Sequence, residues 1–316
     1  MEQFTEKLLL LVMSKIEVTK IATLTGHNDC VYGLAPSKEA NILFSADGNG
    51  MVARWNLEKP EIGDMVAKVQ NSVYALHYRE AGNQLLVGHN FSGLHLIDLD
   101  SKQELKSIEL TSAQIFDIQS IGNLVLVACG EGLVVALDFD NWAVRKHLKA
   151  SDKHARVIAV HPNQKSFAIG YSDHHIRVFD TETLDLQHTI AAHSNSVFAL
   201  RYSPDGQHLV SGGRDAHLKV WNVSQDYTLH QSIVAHMYAL NSLDFSPDGQ
   251  YFVTGSMDKS IKVWDAHTFK LLKVIDKSRH AGHATSVNKL WWSAYQNFVV
   301  SASDDRTVSV WSLKFP

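Results

Sequence analysis

Three sets of histidine, serine or threonine, and aspartate recur in the C-terminal half of the sequence, and these are the residue types of a hydrolase triad. In the first set they are His193, Ser211 and Asp215. A serine that a histidine deprotonates, while an aspartate orients the histidine, attacks carbonyl groups. The same spacing gives two further sets, which are His236, Thr254, Asp258 and His283, Ser301, Asp305.

The regular recurrence of these sets argues against catalysis. A catalytic centre needs one copy in a cleft, whereas here the histidine precedes the aspartate by 22 residues three times. Each aspartate is also followed six residues later by a tryptophan, and these are Trp221, Trp264 and Trp311. Because a motif copied along the chain belongs to a repeating unit, we interpret the three sets as structural.

Histidine pairs elsewhere in the sequence raise the question of a metal site, since the chain has 18 histidines. His174 adjoins His175, and His280 lies near His283. No carboxylate or thiol joins either pair at a spacing typical of metal ligands, so we predict no metal. We also predict no cofactor, because the glycine-rich segment 130–132 has no following helix to receive a phosphate.

The tryptophans mark a repeat that runs through the chain. Trp55 stands in the same register as the C-terminal tryptophans, and counting back from Trp221 at this period reaches Phe179, Leu137 and Ile97. Seven units result, with equivalent positions 40 to 47 residues apart. Periods of this length are typical of propellers and repeat arrays.

Each unit alternates apolar and polar residues, as at Leu218, Lys219 and Val220, and SPDG turns at 203–206 and 246–249 interrupt the alternation at hairpin spacing. The combination of a Gly-His pair, an Asp turn and a closing Trp-Asp pair resembles the WD40-repeat family. This resemblance implies an all-β fold, a seven-bladed β-propeller of four-stranded antiparallel blades around a central channel.

The resemblance covers residues 15–316, which we expect to form a single propeller. By resemblance, residues 15–24 supply the outer strand of the last blade and close the ring by pairing with the C-terminal strands. Residues 1–14 are expected to be an extension that is non-native, disordered or a short helix, and translation could start at Met13. The apolar run from Leu8 to Met13 is too short to span a membrane.

By resemblance, the histidine, serine or threonine, aspartate and tryptophan of one repeat form a hydrogen-bonded tetrad that ties the loop between blades to the inner strands. The first repeat has Asn49 at the aspartate position, which predicts a weaker network with a neutral acceptor. The predicted tetrads are His27, Ser45, Asn49, Trp55; His193, Ser211, Asp215, Trp221; His236, Thr254, Asp258, Trp264; and His283, Ser301, Asp305, Trp311.

Repeats two to four lack the tetrad. Val69 and Ser151 stand at two of the histidine positions, and Phe91, Glu131 and Asp173 stand at the aspartate positions. We therefore expect these repeats to be held mainly by apolar packing.

Two sets of loop-end positions are candidates for partner binding. In family members that bind partners beside the channel, contacts come from the residue after an apolar inner-strand position and from the residue before the tetrad aspartate. The first set comprises Tyr32, Tyr74, Phe116, Arg156, Phe198, Asn241 and Asn288. The second set includes Arg214 and Met257, together with Ser172 and Asp304.

Four residues of the first set are aromatic, and aromatic residues with an arginine among them are typical of interface anchors. The rings could instead fill the core. We favour a binding ring because the adjacent apolar positions are already occupied, for example by Val31 and Val73, and neighbouring strand residues point to opposite faces.

The composition of the chain restricts the classes of partner and the compartment that we expect. Lys plus Arg total 29 against 33 for Asp plus Glu, a net charge of -4, so we expect no nucleic acid. Two distant cysteines favour a reducing compartment over a disulfide framework, and we expect a cytoplasmic protein, with the nucleus possible in a eukaryote. We expect no membrane insertion, and a monomer or a subunit of a larger complex.

The function we predict is a non-catalytic scaffold that binds partner proteins or peptides on the propeller face. One alternative is a recognition module for a modified or charged peptide, with Arg156 and the rings as an aromatic cage. Another is a propeller hydrolase with its site at the channel mouth, although no unexplained cluster of acids recurs at the loop positions.

Unequal polar networks predict unequal local stability. Repeats two to four should open before repeats five to seven, because they lack the tetrad. Hydrogen exchange of backbone amides, followed by mass spectrometry, measures this opening, and equal protection of the two groups would contradict the expectation.

Overall fold

The computed structural model describes residues 16–316 and consists almost entirely of β-strands. The predicted extension, residues 1–14, lies outside the described residues. The strands form seven four-stranded sheets, and in six of them the strands follow chain order from the innermost to the outermost. The predicted seven-bladed propeller of antiparallel blades is thereby confirmed.

The blades are built from consecutive strands. The first three comprise β2 (Val31–Pro36), β3 (Ile42–Asp47), β4 (Met51–Asn56), β5 (Gly63–Lys68); β6 (Val73–Arg79), β7 (Gln84–His89), β8 (Gly93–Asp98), β9 (Gln103–Ile108); and β10 (Ile115–Ile121), β11 (Leu124–Cys129), β12 (Leu133–Asp138), β13 (Ala143–Lys149). The next three comprise β14 (Ala155–Val160), β15 (Ser166–Tyr171), β16 (His175–Asp180), β17 (Leu186–Ala191); β18 (Val197–Tyr202), β19 (His208–Gly213), β20 (His217–Asn222), β21 (Thr228–Val234); and β22 (Leu240–Phe245), β23 (Tyr251–Ser256), β24 (Ile261–Asp265), β25 (Leu271–Ile275). The seventh comprises β26 (Val287–Trp292), β27 (Phe298–Ser303), β28 (Val308–Lys314) and β1 (Glu17–Leu24).

The seventh blade closes the ring, because its outer strand comes from the beginning of the described chain. β1 pairs antiparallel with β28, from Glu17 opposite Lys314 to Leu24 opposite Val308. This pairing removes the free edge that β28 would otherwise expose. The predicted closure by N- and C-terminal strands is therefore confirmed, with the strand beginning at Glu17.

The hydrophobic core lies between neighbouring blades. One cluster, for example, joins Leu126 and Ala136 of the third blade to Ile158 and Phe167 of the fourth. All six residues of β11 are buried, whereas the outer strand β9 is almost wholly exposed. Each blade therefore needs a neighbour on both faces, and only a closed ring gives every blade two neighbours.

A β-bulge interrupts the inner strand of every blade at the same place. In the first blade Val31 pairs with Asp47 and Gly33 with Ala46, which leaves Tyr32 unpaired. A bulge residue escapes the strict alternation of the strand, so its side chain takes a new direction. The residues at the seven bulges are Tyr32, Tyr74, Phe116, Arg156, Phe198, Asn241 and Asn288.

The inner strands also present an edge to the channel, where backbone N–H groups have no strand partner. Side chains of the preceding blade accept some of these hydrogen bonds. The Asp117 carboxylate accepts one from Ile158 N at 2.8 Å, and Asp244 accepts one from Trp292 N at 2.8 Å. Polar residues inside the channel thus join neighbouring blades.

Helix is confined to short turns of the described chain, such as α1 (Lys277–His280), which has four residues. None of the helices in residues 16–316 has the length and apolar character needed to cross a bilayer.

Removal of the closing strand should destabilise the whole ring. A chain that begins at residue 25 lacks β1, which exposes the edge of β28. We expect its free energy of unfolding to fall by several kcal/mol, or the chain to aggregate. Chemical denaturation and size-exclusion chromatography measure both effects.

The control for this truncation is a chain that begins at Lys15 and keeps all of β1. It should match the full-length chain in stability. Equal stability of the chains with and without β1 would contradict the role of closure.

Candidate functional site

The His-Ser-Asp sets lie between the loops and the inner strands, as joined networks. In the fifth blade His193 Nδ1 donates to Asp215 at 2.9 Å, Nε2 lies 2.9 Å from Ser211 Oγ, and Trp221 Nε1 donates to the same hydroxyl at 2.9 Å. The sixth and seventh blades repeat this arrangement around Thr254 and Ser301.

These hydroxyls cannot serve as nucleophiles in this arrangement. The side chains of Ser211, Thr254 and Ser301 belong to residues with 0% exposure, and a tryptophan covers each of them. A nucleophile must reach its substrate at bonding distance. The recurrent sets therefore act as structural hydrogen-bond networks, which is the role that their recurrence indicates.

The electrostatics of the networks favour an ionised aspartate. Burial acts to raise the pKa of Asp215, but hydrogen bonds from His193 and from Ser194 N outweigh it and hold this pKa well below its usual range. Asp258 behaves in the same way, with His236 as donor. Burial lowers the pKa of His236. Each network thus keeps one negative charge fully hydrogen-bonded.

The first blade departs from the predicted assignment. His27 Nδ1 donates to Asp47 at 3.0 Å, whereas the Asn49 side chain is exposed and has no hydrogen bond among the described residues. The prediction that Asn49 supplies the acceptor is therefore wrong. His27 and Trp55 still meet on Ser45 Oγ, at 2.6 and 2.7 Å.

The geometry of the fifth blade explains how Asp47 replaces the usual aspartate. Gly213 occupies the position equivalent to Asp47, two residues after the serine, and a Cβ added there would lie 2.9 Å from His193 Nδ1. A carboxylate at this position therefore reaches the histidine directly. In the sequence, the aspartate two residues after Ser45 indicates this alternative acceptor. A search for an acceptor 22 residues after the histidine finds Asn49 instead.

Blades two to four contain other polar contacts in place of the tetrad. Ser151 Oγ donates to Asp173 at 2.7 Å, so these two positions stay in contact although serine replaces histidine. The amide of Asn90 donates to Ser72 Oγ and accepts from Ile115 N, both at 2.8 Å, and thereby joins the second blade to the third. These polar contacts add to the apolar packing that we expect to hold these repeats mainly.

The structure brings all seven bulge residues to one end of the channel. They line a cavity of about 330 Å³, together with Val157 and Lys289. Each bulge residue is half-buried, whereas the residue before each of them is fully buried at 0% exposure. The apolar neighbour packs in the core, and the bulge turns the next side chain towards the channel mouth.

The aromatic bulge residues form a continuous arc around the mouth. The rings of Tyr32 and Tyr74 meet edge to face at 4.9 Å between centroids, and Tyr74 stacks on Phe116 at 5.9 Å. Burial and a hydrogen bond with Cys30 raise the pKa of Tyr32, so its hydroxyl stays protonated. The arc continues to Phe198 through Arg156.

Arg156 fills the space between two rings of the arc. Its guanidinium carbon lies 4.2 Å from the Phe116 ring centroid and 5.5 Å from that of Phe198, and Nε donates to Ser172 Oγ at 2.8 Å. An aromatic cage for a cation needs an empty space between rings. Here the chain's own arginine occupies that space, so the residues do not form the cage we considered from the sequence.

Two amides complete the other side of the mouth. Asn241 Nδ2 donates to Val287 O at 3.0 Å, and Asn288 Nδ2 donates to Val31 O at 3.0 Å and to Asp304 at 2.7 Å. Each amide therefore connects to the following blade. The mouth has an aromatic half and an amide half.

The second set of predicted binding residues lies around this mouth but does not line the cavity. Arg214 and Met257 are exposed in turns of the fifth and sixth blades, and Met257 is 57% exposed. Met257 N donates to Ala239 O, which places it beside the exposed Tyr238. Ser172 and Asp304 instead support Arg156 and Asn288.

In each histidine pair considered for metal binding, one member forms hydrogen bonds of its own. The rings of His174 and His175 lie side by side at 4.3 Å, and His175 Nδ1 contacts Asp173 O at 2.9 Å. Both nitrogens of His283 belong to the seventh-blade network. Within residues 16–316 no three His, Cys, Asp or Glu side chains group as a metal site would require.

The Asp47 assignment predicts different effects of two neighbouring substitutions. Asp47→Ala should lower the free energy of unfolding by about 2 kcal/mol, because it leaves buried His27 Nδ1 without its acceptor. Asn49→Ala is the matched control and should change stability by less than about 0.5 kcal/mol, as exposed substitutions do. Urea denaturation measures both, and equal losses would contradict the assignment.

Comparison with known proteins agrees with this geometry. The WD40 family, described as WD domain, G-beta repeat, matches residues 18–56, 184–222, 227–265 and 274–312. Each of these four segments ends one residue after the tryptophan of a hydrogen-bonded network.

Several curated relatives share part of their length with this chain. Human striatin-3 is 27% identical over 220 residues, which cover 66% of this chain and 23% of striatin-3. Human striatin is 25% identical over 213 residues, covering 66% and 24% of the two chains, and the 66 kDa stress protein of Physarum polycephalum is 26% identical over 211 residues, covering 65% and 34%. The chain therefore spans about a quarter to a third of the length of these relatives. With four matched repeats in a closed ring of seven four-stranded blades, the chain belongs to the WD40-repeat family of β-propellers.

Proposed function

We propose that this propeller is a non-catalytic scaffold that binds partner proteins or peptides at the channel mouth. The observation that carries the proposal is the convergence of seven unpaired bulge residues on one cavity. These positions are free of the strand ladder, and they hold aromatic rings and an arginine, which are typical of interface anchors.

Burial supports a binding role over simple core filling. Val31, Val73, Ile115 and Val197 already fill the core beside the aromatic bulge residues, at 0% exposure. The rings themselves stay half-buried and border open space. A partner that enters the mouth would bury their remaining surface.

The surface around the mouth can extend such an interface. Met237, Tyr238 and Met257 are 81%, 59% and 57% exposed. A stable interface buries about 800 Å² per partner, far more than the walls of the cavity provide, so a partner would also cover these rim residues.

The absence of a catalytic role is part of the proposal. The seven bulge residues include no carboxylate, histidine, serine or cysteine to act as base or nucleophile. We also propose a reducing, cytoplasmic compartment, since Cys30 and Cys129 are both free. The chain would act as a monomer or as a subunit of a larger complex.

Loss of two rings should abolish partner capture. We expect Tyr74→Ala with Phe116→Ala to remove most proteins that the immobilised chain captures from a lysate of its own organism, because anchor rings contribute about 2 kcal/mol or more each. Mass spectrometry of the eluted proteins gives the measurement.

The matched control removes a second aromatic pair. Phe139 and Trp142 also meet edge to face, at 5.8 Å, but lie in the turn between β12 and β13 and outside the mouth. Phe139→Ala with Trp142→Ala should leave capture unchanged. Retained capture by the Tyr74 and Phe116 variant would refute binding at the mouth.

A further inference from the structure

We propose that the channel mouth selects peptides by an acidic side chain, whose carboxylate pairs with the Arg156 guanidinium. This inference rests on the proposed function, since it names the chemical class of partner for the same mouth. It depends on how Arg156 is held and on which of its nitrogens remain free.

Arg156 is held rigidly in one direction. Phe116 and Phe198 flank the guanidinium, and Ser172 Oγ accepts from Nε at 2.8 Å. Rings on both sides restrict its tilt, and the hydrogen bond to Nε fixes its rotation. An arginine that is ordered before binding loses little conformational entropy when a ligand arrives.

The outer edge of the guanidinium has no protein partner. Within residues 16–316, no group accepts a hydrogen bond from Nη1 or Nη2 of Arg156, and no carboxylate forms an ion pair with it. The two free nitrogens form a planar fork that matches the two oxygens of one carboxylate. The cavity that Arg156 lines gives a peptide side chain room to reach this fork.

Neighbouring charges favour an anion at this place. Arg214 is close enough to Arg156 to help lower its pKa, after the larger effect of burial. Lys289 lines the same cavity and, like Arg214, has no ion pair within the described chain. Three cations thus surround the mouth of a chain whose net charge is -4.

Within residues 16–316, no acid forms an ion pair with these three cations. Asp304 accepts a hydrogen bond from Asn288 at 2.7 Å, on the amide half of the mouth. Asp29 lies beside Gly48 and Cys30 in the first blade. A basic peptide side chain would meet Arg156 between the rings, and charge repulsion therefore disfavours it.

A peptide array tests the proposal directly. The probes are eight-residue peptides with randomised flanks and one fixed central residue, which is glutamate, glutamine, phosphoserine or lysine. The full-length wild-type chain should bind the glutamate peptides best, about tenfold more tightly than the glutamine peptides, because a carboxylate pairs with both free nitrogens. Fluorescence anisotropy of the best glutamate peptide and its glutamine counterpart gives the ratio of dissociation constants.

Three variants assign the preference to Arg156. Arg156→Gln should remove the preference for glutamate over glutamine, and Arg156→Lys, which keeps the charge without the fork, should reduce it. Arg145→Gln is the matched control, because Arg145 is exposed on the outer strand β13 and its substitution changes the net charge equally. It should leave the preference intact. Circular dichroism melting shows whether each variant remains folded. The comparison of glutamate with glutamine peptides uses the wild-type chain and therefore does not depend on any variant.

Each remaining outcome overturns the proposal. Equal binding of glutamate and glutamine peptides, stronger binding of phosphoserine or lysine peptides, or no binding to any pool would do so. These results are separate from those of the capture experiment. If the Tyr74 and Phe116 variant still loses its captured proteins while glutamate confers no preference, the scaffold function stands and the acidic selection fails.

Discussion

Every blade of this propeller has two apolar faces, and each face must be covered by another blade. The buried clusters accordingly span neighbouring sheets, as between Leu126 of the third blade and Phe167 of the fourth. An open row of blades would leave two faces in water, at a cost of roughly 25 cal/mol per Å² of apolar surface. The pairing of β1 with β28 completes the last blade and lets the ring close. The cavity at the channel mouth exists because the ring is closed.

The sequence predicted the architecture well because a repeat reports the same information seven times. Strand alternation, turn positions and the tryptophan register all agree, so errors at single positions do not change the fold class. Reliance on the agreement between repeats also caused the wrong prediction at Asn49. A spacing that holds in three blades was imposed on the first, whereas Asp47 reaches His27 from a position that is glycine in the fifth blade.

The candidate site was predictable by position but not by chemistry. Alignment identified the seven mouth residues, from Tyr32 to Asn288, and the structure places them around one cavity. That Arg156 lies between Phe116 and Phe198 depends on contacts between three different blades. Such contacts involve residues about forty positions apart, and no local pattern records them. The same holds for Asn90, whose amide joins two blades from a position that no motif marks.

The bulge in each inner strand separates the residues that maintain the fold from those that line the channel mouth. Its unpaired residue contributes little to the strand ladder, while its apolar neighbour is fully buried. A substitution at Tyr32 or Phe198 can therefore alter the chemistry of the mouth and leave the ladder intact. With one such position in each of the seven blades, the lining of the channel mouth can change by substitutions that leave the strand ladders in place.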